Sequence, residues 1–413
     1  MLELIFSSFF LIVVKNWMIF SNYICFMMIY LFMNLVLEGE YSLKIIMFSL
    51  SLWLVMMMMM SINTNSKSFY LYFLIVWLLV SLQIAFFSYS LFWFYLGFEM
   101  SVLPVLLIIF GWGYQPDRLS AGIYMMLYTI LFSLPLLVCI FIIKNNLIND
   151  FIFLFISLMA FMVKFPMFGL HLWLPRAHVE APVYGSMILA GIMLKLGGYG
   201  LMKISLVLGD LILNYSSFII VYSCLGGFIL SLICFMQSDV KLLVAYSSIV
   251  HMSLVLSGLL TMKISGLLGS FYVMIGHGFC SSGLFSLLGV VYSRFLTRSL
   301  YINKGMMGVL PVLCLWWFLF CSSNLSFPPS LNLVGELFLF MSLISWSYKM
   351  VVFMILLSLF SSLYSIFLFS YSVQGSFLMY FSFKMINVQE YVMLMLHWVP
   401  LNLIFLDLSF LSW

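Results

Sequence analysis

Long apolar runs are the feature that most constrains how this chain folds. The run FIIVYSCLGGFILSLICFM (218–236) carries no charge, and neither does LIVWLLVSLQIAFF (74–87). A helix needs about 20 mostly apolar residues to cross ~30 Å of hydrocarbon. Because hydrophobic residues make up 66% of the 413 residues and charged residues only 7%, almost the whole chain has to be accommodated in a bilayer. The sequence therefore predicts a polytopic membrane protein.

The pattern within these runs favours helices over a barrel. Strands of transmembrane barrels alternate apolar and polar residues, whereas these runs are apolar on every side. Residues 1–413 are therefore predicted to form one membrane domain that is all-α and polytopic, with about 14 transmembrane helices. The expected spans are 2–14, 18–37, 43–61, 69–88, 90–110, 121–143, 150–171, 183–207, 212–236, 240–260, 264–292, 306–325 continuing through 330–347, 350–371 and 391–410.

Composition argues against several other classes of protein. The N-terminus lacks the basic region and small-residue cleavage site of a signal peptide, so the first helix is expected to be retained. The 16 Lys and Arg residues and the 12 Asp and Glu residues are scattered, without a basic run that would indicate nucleic acid. The seven cysteines form no CxxC pair and are expected to be buried free thiols.

Three predicted spans are interrupted close to an ionisable side chain. Pro166 and Pro175 follow Lys164. Three glycines follow Lys195, namely Gly197, Gly198 and Gly200, and Pro328-Pro329 precede Glu336. Broken helices are tolerated at membrane depth where the freed backbone groups face protein or water, and in transporters they mark ion sites.

Glu99, Lys164 and Lys195 lie deep within spans. An ionised side chain costs a few kcal/mol at the centre of a bilayer, so each needs a partner or a function. Burial disfavours the charged form of a lysine and a nearby carboxylate favours it, so a lysine whose partner moves can load and release a proton. Three lysines nearer to helix ends are expected to extend to the membrane interface: Lys203, Lys241 and Lys263.

His251, His277 and Glu336 are further candidates for proton transfer. A single histidine on an apolar helix is more often a hydrogen-bonded core residue, but two in consecutive spans favour a relay, because histidine titrates nearest to neutral pH. Ser330 is expected to cap the half-helix that carries Glu336. This acid is interpreted as a terminal proton carrier or, alternatively, as a structural anchor.

Other site chemistries fit the sequence poorly. Pro175 disrupts a shared helical face between His171 and His178, and HVE lacks the second histidine of a zinc-binding helix, so a metal site is not expected. Both histidines are kept as relay candidates. LGGYG (196–200) follows no strand and lacks the GxGxxG spacing, so helix packing is favoured over nucleotide binding. We expect no cofactor within this chain.

Six stretches carry a family resemblance. They are GWGYQPDRLSAG (111–122), MAFMVKFPMFGLHLWLPRAHVEAP (159–182), GSMILAGIMLKLGGYG (185–200), DVKLLVAYSSIVHMSLV (239–255), MIGHGFCSSGLF (274–285) and LNLVGEL (331–337). In these stretches the chain resembles the subunit 4 family of mitochondrial NADH:ubiquinone oxidoreductase, respiratory complex I. The first 90 or so residues match this family only in hydropathy, and the connector between Lys144 and Asp150 is short for it.

The resemblance implies an antiporter-like, proton-pumping subunit with two inverted five-helix repeats, at about 90–210 and 211–371, each with a broken helix. It implies that Glu99 and Lys164 interact, and that Lys195 is the central lysine. It also places His251 and His277 on a hydrated axis. Glu336 would be the last exchange residue, where sister subunits and most Mrp-type antiporters usually carry lysine.

The resemblance also implies the surroundings of the chain. Flavin, iron–sulfur clusters and ubiquinone would bind to other subunits. The partners would be neighbouring antiporter-like subunits and membrane lipids, in the mitochondrial inner membrane. Two alternatives stay open: a subunit of an Mrp-type cation/proton antiporter, and a structural membrane subunit whose buried charges serve only packing.

Overall fold

The computed structural model describes residues 2–38, 43–62, 66–145, 151–376 and 385–408, and these residues are almost entirely helical. The helices are α1 (Leu2–Val14), α2 (Trp17–Glu38), α3 (Leu43–Ser61), α4 (Phe69–Phe87), α5 (Leu91–Met100), α6 (Val102–Trp112), α7 (Arg118–Asn145), α8 (Phe151–Lys164), α9 (Trp173–Glu180), α10 (Val183–Ile188), α11 (Leu194–Tyr215), α12 (Ser217–Phe235), α13 (Val240–Leu260), α14 (Ile264–Phe295), α15 (Pro311–Asn324), α16 (Leu331–Trp346), α17 (Met350–Val373) and α18 (Val388–Leu406). A π-helical turn, Leu189–Met193, joins α10 to α11.

The lengths and composition of these helices confirm a multi-pass, all-α membrane fold. Within the described ranges, ten spans are long and apolar enough to cross a bilayer, and α8, α15 and α16 are shorter apolar helices. Two of the ten spans consist of consecutive segments: α5 with α6, and α10 with the π turn and α11. These numbers are compatible with the predicted count of about 14. The division into repeats at about 90–210 and 211–371 stays a prediction.

Helices α13 and α14 form the centre of the molecule. The span of α13 is 89% buried and that of α14 is 94% buried, whereas α7 and α17 are each 28% buried. Small residues on α14 allow its neighbours to approach closely. A Cβ atom added to Gly269 would lie 2.9 Å from the carbonyl oxygen of Gly335 on α16. Such close backbone contact is how apolar helices associate in a membrane, where burial of apolar surface gives little driving force.

The region after Lys164 differs from the predicted span 150–171. Helix α8 ends at Lys164, the chain turns through 165–172, and α9 begins at Trp173. Pro175 does not break a helix, because it lies in the first turn of α9, where a backbone N–H has no partner within the helix. Arg176, His178 and Glu180 all lie on α9.

The interruption near Lys195 also lies elsewhere than predicted. It is the π turn before Lys195, and α11 continues as an α-helix through the three glycines. These glycines allow close packing instead. A Cβ atom on Gly200 would lie 2.2 Å from a ring carbon of Phe161, and one on Gly197 would lie 3.1 Å from the backbone nitrogen of Phe165. The sequence identified the correct region, but not the type of interruption.

The interruption before Glu336 lies where it was predicted. Helix α15 ends at Asn324 and α16 begins at Leu331, with Ser330 at its N-cap position. Among the described residues, the Ser330 side chain makes no capping hydrogen bond, which was not expected. The predicted span 90–110 is divided at Ser101 into α5 and α6. The short connector noted in the sequence lies outside the described residues over 146–150.

Candidate functional site: a buried line of titratable side chains

The structure places Lys164 beside Glu99. Lys164 is the last residue of α8 and Glu99 lies one residue from the end of α5. The lysine Nζ is 3.8 Å from Oε1 of Glu99 and donates a hydrogen bond of 2.6 Å to the carbonyl oxygen of Phe98. The lysine side chain is 3% exposed and the glutamate side chain 22% exposed. At this distance the two charges attract each other, but among the described residues no hydrogen bond joins them.

Lys195 lies at the centre of the protein and is fully buried. Its side chain folds back over the π turn, and Nζ donates to the carbonyl oxygen of Ala190. The same nitrogen lies 3.0 Å from Nδ1 of His277 on α14. Among the described residues Lys195 has no carboxylate partner within ion-pair distance. A permanent ammonium is costly in such a place, so this amine is suited to holding a proton transiently.

From Lys195 and His277, a line of side chains continues to Glu336. The ring centroids of His277 and His251 are 5.7 Å apart. Nδ1 of His251 lies 3.2 Å from Oε1 of Glu336, and Nε2 lies 3.3 Å from the hydroxyl of Tyr364. Ser326 donates a hydrogen bond of 2.6 Å to Oε2 of Glu336. Between the two imidazoles no hydrogen bond is seen among the described residues, and His251 and Glu336 are joined by the ion-pair contact.

The pair at Lys164 and the line at Lys195 are separated by mostly apolar side chains. A cavity of about 10 Å³ lies beside Lys164 and is also lined by Thr129, Trp173, Leu189 and Met193. A cavity needs about 10–15 Å³ of this kind of volume to hold one water molecule. Leu189 and Met193 are the two ends of the π turn that precedes Lys195. The cavity therefore reaches from the first lysine to the segment that positions the second.

Within the described residues, the two relay candidates near α9 make no hydrogen bond to this line. His171 lies in the 165–172 turn, where its Nδ1 accepts a hydrogen bond from the Gly169 backbone at 3.2 Å. His178 is fully buried on α9, with its ring stacked on Phe285 at 4.7 Å. Neither ring nitrogen of His178 has a hydrogen-bond partner in the described part of the chain. A relay role for His171 and His178 stays a prediction.

The expectation that Lys241 reaches the membrane interface was wrong. Lys241 is only 4% exposed, and its Nζ lies 5.5 Å from the centre of the Tyr114 ring. Its Nζ donates to the carbonyl oxygens of Ala181 at 2.8 Å and Val179 at 3.3 Å. Lys203 is half-buried and bonds to the end of α4 through Ser88 at 2.6 Å, while Lys263 bonds to Ser345 at 2.9 Å.

Known proteins resemble the chain both in sequence and in fold. A family model described as NADH:quinone oxidoreductase/Mrp antiporter, transmembrane, matches residues 88–363. A protein named NADH-ubiquinone oxidoreductase chain 4 from Ceratitis capitata is 50% identical over 342 residues, covering 80% of this chain and 77% of its own. Its namesake from Aedes aegypti is 51% identical over 332 residues, covering 76% of this chain and 74% of its own.

The chain belongs to the NADH-ubiquinone oxidoreductase chain 4 family. Two solved structures contain chains whose fold is similar to that of this chain 4 family member. A chain of respiratory complex I from Thermus thermophilus matches with a TM-score of 0.79 and 21% identity, covering 87% of this chain and 80% of that one. A chain of the Mrp complex from Dietzia sp. matches with a TM-score of 0.77 and 19% identity, covering 87% and 42%.

Two polar residues that contact the line were not predicted from the sequence of this chain 4 family member. Tyr364 lies on the apolar helix α17 within the stretch SSLYSIF, where nothing distinguishes it from a core aromatic residue. Ser326 lies in the bend between α15 and α16 with a φ of 60°, a left-handed conformation that is uncommon for serine. The interruption at Pro328-Pro329 was the signal that the bend matters. The path of the chain between α15 and α16 determines which hydroxyl group faces Glu336, and this path cannot be predicted from the sequence pattern.

Proposed function

We propose that this chain is a proton-translocating membrane subunit of NADH:ubiquinone oxidoreductase in the mitochondrial inner membrane. The observation that carries the proposal is the buried line from Lys195 through His277 and His251 to Glu336. Ionisable side chains are costly at membrane depth and are found there on proton pathways. The names of the chain 4 relatives support the choice of complex.

Other subunits would carry out the redox chemistry. In this proposal NADH oxidation and ubiquinone reduction take place outside this chain, with flavin, iron–sulfur clusters and ubiquinone bound elsewhere. The chain would contact neighbouring antiporter-like subunits and membrane lipids. Its contribution to the enzyme is the movement of protons, and no redox step is assigned to its residues.

The contacts suggest how a proton moves along the line. The Lys195 ammonium gives a proton to Nδ1 of His277, which then releases one from its other nitrogen. His251 delivers a proton from Nδ1 to Glu336, so it has to receive one at Nε2, the nitrogen that faces the Tyr364 hydroxyl. Each imidazole accepts on one nitrogen and donates from the other. A bridging water or the Tyr364 hydroxyl completes the step between the rings.

The Glu99–Lys164 pair would control the charge on Lys195. Charges of the same sign repel each other more strongly in a low-dielectric interior than in water. A repulsion of about 1.4 kcal/mol changes proton affinity tenfold. When Glu99 moves away from Lys164, the uncompensated lysine charge therefore favours loss of the Lys195 proton. In this mechanism quinone chemistry elsewhere in the complex drives that separation.

Substitution of the line in the assembled complex tests the proposal. Lys195→Ala and Glu336→Gln are expected to lower proton-coupled turnover at least tenfold while the amount of assembled complex stays normal. Lys263→Ala is the control, because Lys263 bonds to Ser345 away from the line. The measurements are protons translocated per NADH oxidised and turnover per complex. Normal pumping by both variants would sink the proposal and favour a structural subunit.

A cation/proton antiporter subunit is the alternative transport function. The fold similarity to a chain of the Mrp complex supports it, and the matching family description includes both classes. Purification of the native assembly distinguishes the two functions. Co-purification with NADH dehydrogenase activity is expected; recovery with antiporter partners and without that activity would decide for the alternative.

A further inference from the structure

Lys241 is a buried cation that the proton line does not use. It lies in the first turn of α13, the helix that carries His251 further along. Its two hydrogen-bond acceptors among the described residues are the carbonyl oxygens of Ala181 and Val179, at the end of α9. Arg298, which follows α14, donates to the same Val179 oxygen at 3.0 Å. Two cations from the later part of the chain therefore hold one short segment of the earlier part.

The end of α9 is held by a third donor as well. The carbonyl oxygen of Glu180 accepts a hydrogen bond of 3.4 Å from the backbone nitrogen of Tyr114, in the connector between α6 and α7. The three successive carbonyls of residues 179–181 are thus all occupied. These are carbonyls that the end of a helix leaves without partners. Cations are also favoured there, because the helix dipole places partial negative charge at that end.

The burial of Lys241 makes this contact a strong constraint on α9. An ammonium removed from water has to regain its hydrogen bonds inside the protein. No carboxylate lies within ion-pair distance of Lys241 in the described ranges. The Glu180 carboxylate instead lines a cavity of about 460 Å³, shared with Asp117 and Arg176. If the end of α9 moved away, the Lys241 ammonium would lose both of its acceptors.

The held segment connects the two lysines of the proposed pathway. It follows the turn after Lys164 and leads through α10 and the π turn to Lys195. We propose that Lys241 is a positioning residue that, with Arg298, fixes this segment against α13 and so maintains the geometry between Lys195 and the His251 helix. This inference rests on the proposed function, since the line it positions is the proton pathway.

Two substitutions of Lys241 test the inference in the assembled complex. Lys241→Met keeps much of the side-chain volume but removes every donor, whereas Lys241→Arg keeps donors and charge. We expect Lys241→Met to lower protons per NADH and turnover per assembled complex by about tenfold, since small misplacements at a reaction path have effects of this size or more. We expect Lys241→Arg to recover turnover to within about threefold of the unmodified complex.

Two further variants separate the carbonyl contacts from simple charge pairing. Arg298→Gln leaves Lys241 in place, so a smaller loss of turnover than in Lys241→Met is expected. Glu180→Gln removes the nearby negative charge but none of the donors, and is also expected to have the smaller effect. An effect of Glu180→Gln as large as that of Lys241→Met would overturn the inference, because the role of Lys241 would then be ion pairing.

The remaining outcomes also decide between the proposals. Normal pumping per assembled Lys241→Met complex overturns the inference. So does a Lys241→Met variant that fails to assemble while Arg298→Gln turns over normally, because the contact then serves assembly alone. Lys195→Ala and Glu336→Gln are measured in parallel. If both pump normally, the proposed function fails; if they stop pumping while Lys241→Met does not, only the positioning role fails.

Discussion

Two hydroxyl groups orient the acid and the histidine at the end of the line. Tyr364 is fully buried and its hydroxyl faces Nε2 of His251, while Ser326 donates to Glu336. A hydroxyl both donates and accepts, so it can face either protonation state of its neighbour. These two residues therefore hold the geometry of the line without carrying charge themselves.

Removal of the Tyr364 hydroxyl tests its contribution to proton transfer. Tyr364→Phe keeps the buried ring but leaves Nε2 of His251 without its hydroxyl, so turnover per assembled complex is expected to fall by about tenfold. Tyr371→Phe on the same helix is the control, since its partly exposed ring lies away from the histidines and beside Lys304. Equal turnover in the two variants would show that water alone bridges the imidazoles.

The backbone of Ser326 allows its conformation and its hydroxyl to be tested separately. Ser326→Ala and Ser326→Gly both remove the hydrogen bond to Glu336, but only glycine relieves the left-handed backbone at φ 60°. Both are expected to lower turnover several-fold, and the alanine variant is expected to be less stable than the glycine variant by about 1 kcal/mol. Thermal inactivation and turnover are the measurements. An alanine variant at least as stable as the glycine variant would contradict the strain argument.

At the scale of helices, hydropathy predicted most boundaries and failed at specific breaks. The bounds of α3 and α13 agree with the predicted spans 43–61 and 240–260. The predicted span 150–171 runs past the helix end at Lys164 because the following turn, FPMFGLHL, continues the apolar run, although Pro166 had indicated an interruption there. The π turn was missed because a helix that is apolar on all sides has no amphipathic stripe to reveal a change of register. Hydropathy detects a transmembrane span but not the rotation of its side chains about the helix axis.

In the site, too, some features could be predicted from the sequence pattern, whereas others depend on tertiary packing. The intramembrane charges Glu99, Lys164 and Lys195 stand out from a sequence with almost no charge. Their pairing was implied by the family resemblance and not by their spacing. Lys241 is buried against the Tyr114 ring and the carbonyl oxygens at the end of α9, which are distant from it in sequence. Such tertiary cover cannot be read from the position of a lysine near the end of a helix.

The packing of α11 against α8 depends on Gly200. Gly200→Val would place a Cβ atom 2.2 Å from Phe161 and 3.0 Å from Phe94, and overpacking of this kind costs about 1–3 kcal/mol. Less assembled complex and a lower inactivation temperature are expected. Gly209→Ala on the same helix is the control, because its Cβ atom would meet Met262 at an ordinary 3.6 Å. Equal stability of the two variants would show that the aromatic rings shift without cost.

At the scale of the whole molecule, α18 joins α3 to the central helix α14. Arg294, near the end of α14, pairs with Glu390 in the first turn of α18. Glu390 also accepts a hydrogen bond from the Asn387 backbone at 2.9 Å and so completes a capping box. Further along, the Trp53 side chain of α3 donates to the Leu396 carbonyl oxygen at 3.1 Å. One helix therefore contacts both the start of the chain and its core.

Loss of the charge on Glu390 is expected to lower stability without changing proton yield. Glu390→Gln keeps an acceptor for the Asn387 backbone but weakens the contact with Arg294, at an expected cost of about 1–3 kcal/mol. Arg294 lies 17 residues beyond His277, or about 25 Å along α14 at ~1.5 Å per residue. The proton line should therefore keep its geometry while α18 loosens.

The measurements are the temperature of thermal inactivation and the protons translocated per NADH at a lower temperature, with the exposed Lys349→Gln as control. The Glu390→Gln complex should inactivate at a lower temperature than this control and pump with the same yield. Because the Arg294 side chain is only 4% exposed, added salt should reproduce little of the loss. A reduced proton yield at unchanged thermal stability would instead place α18 within the coupling mechanism. The interpretation that α18 only stabilises the packing of α3 and α14 would then be wrong.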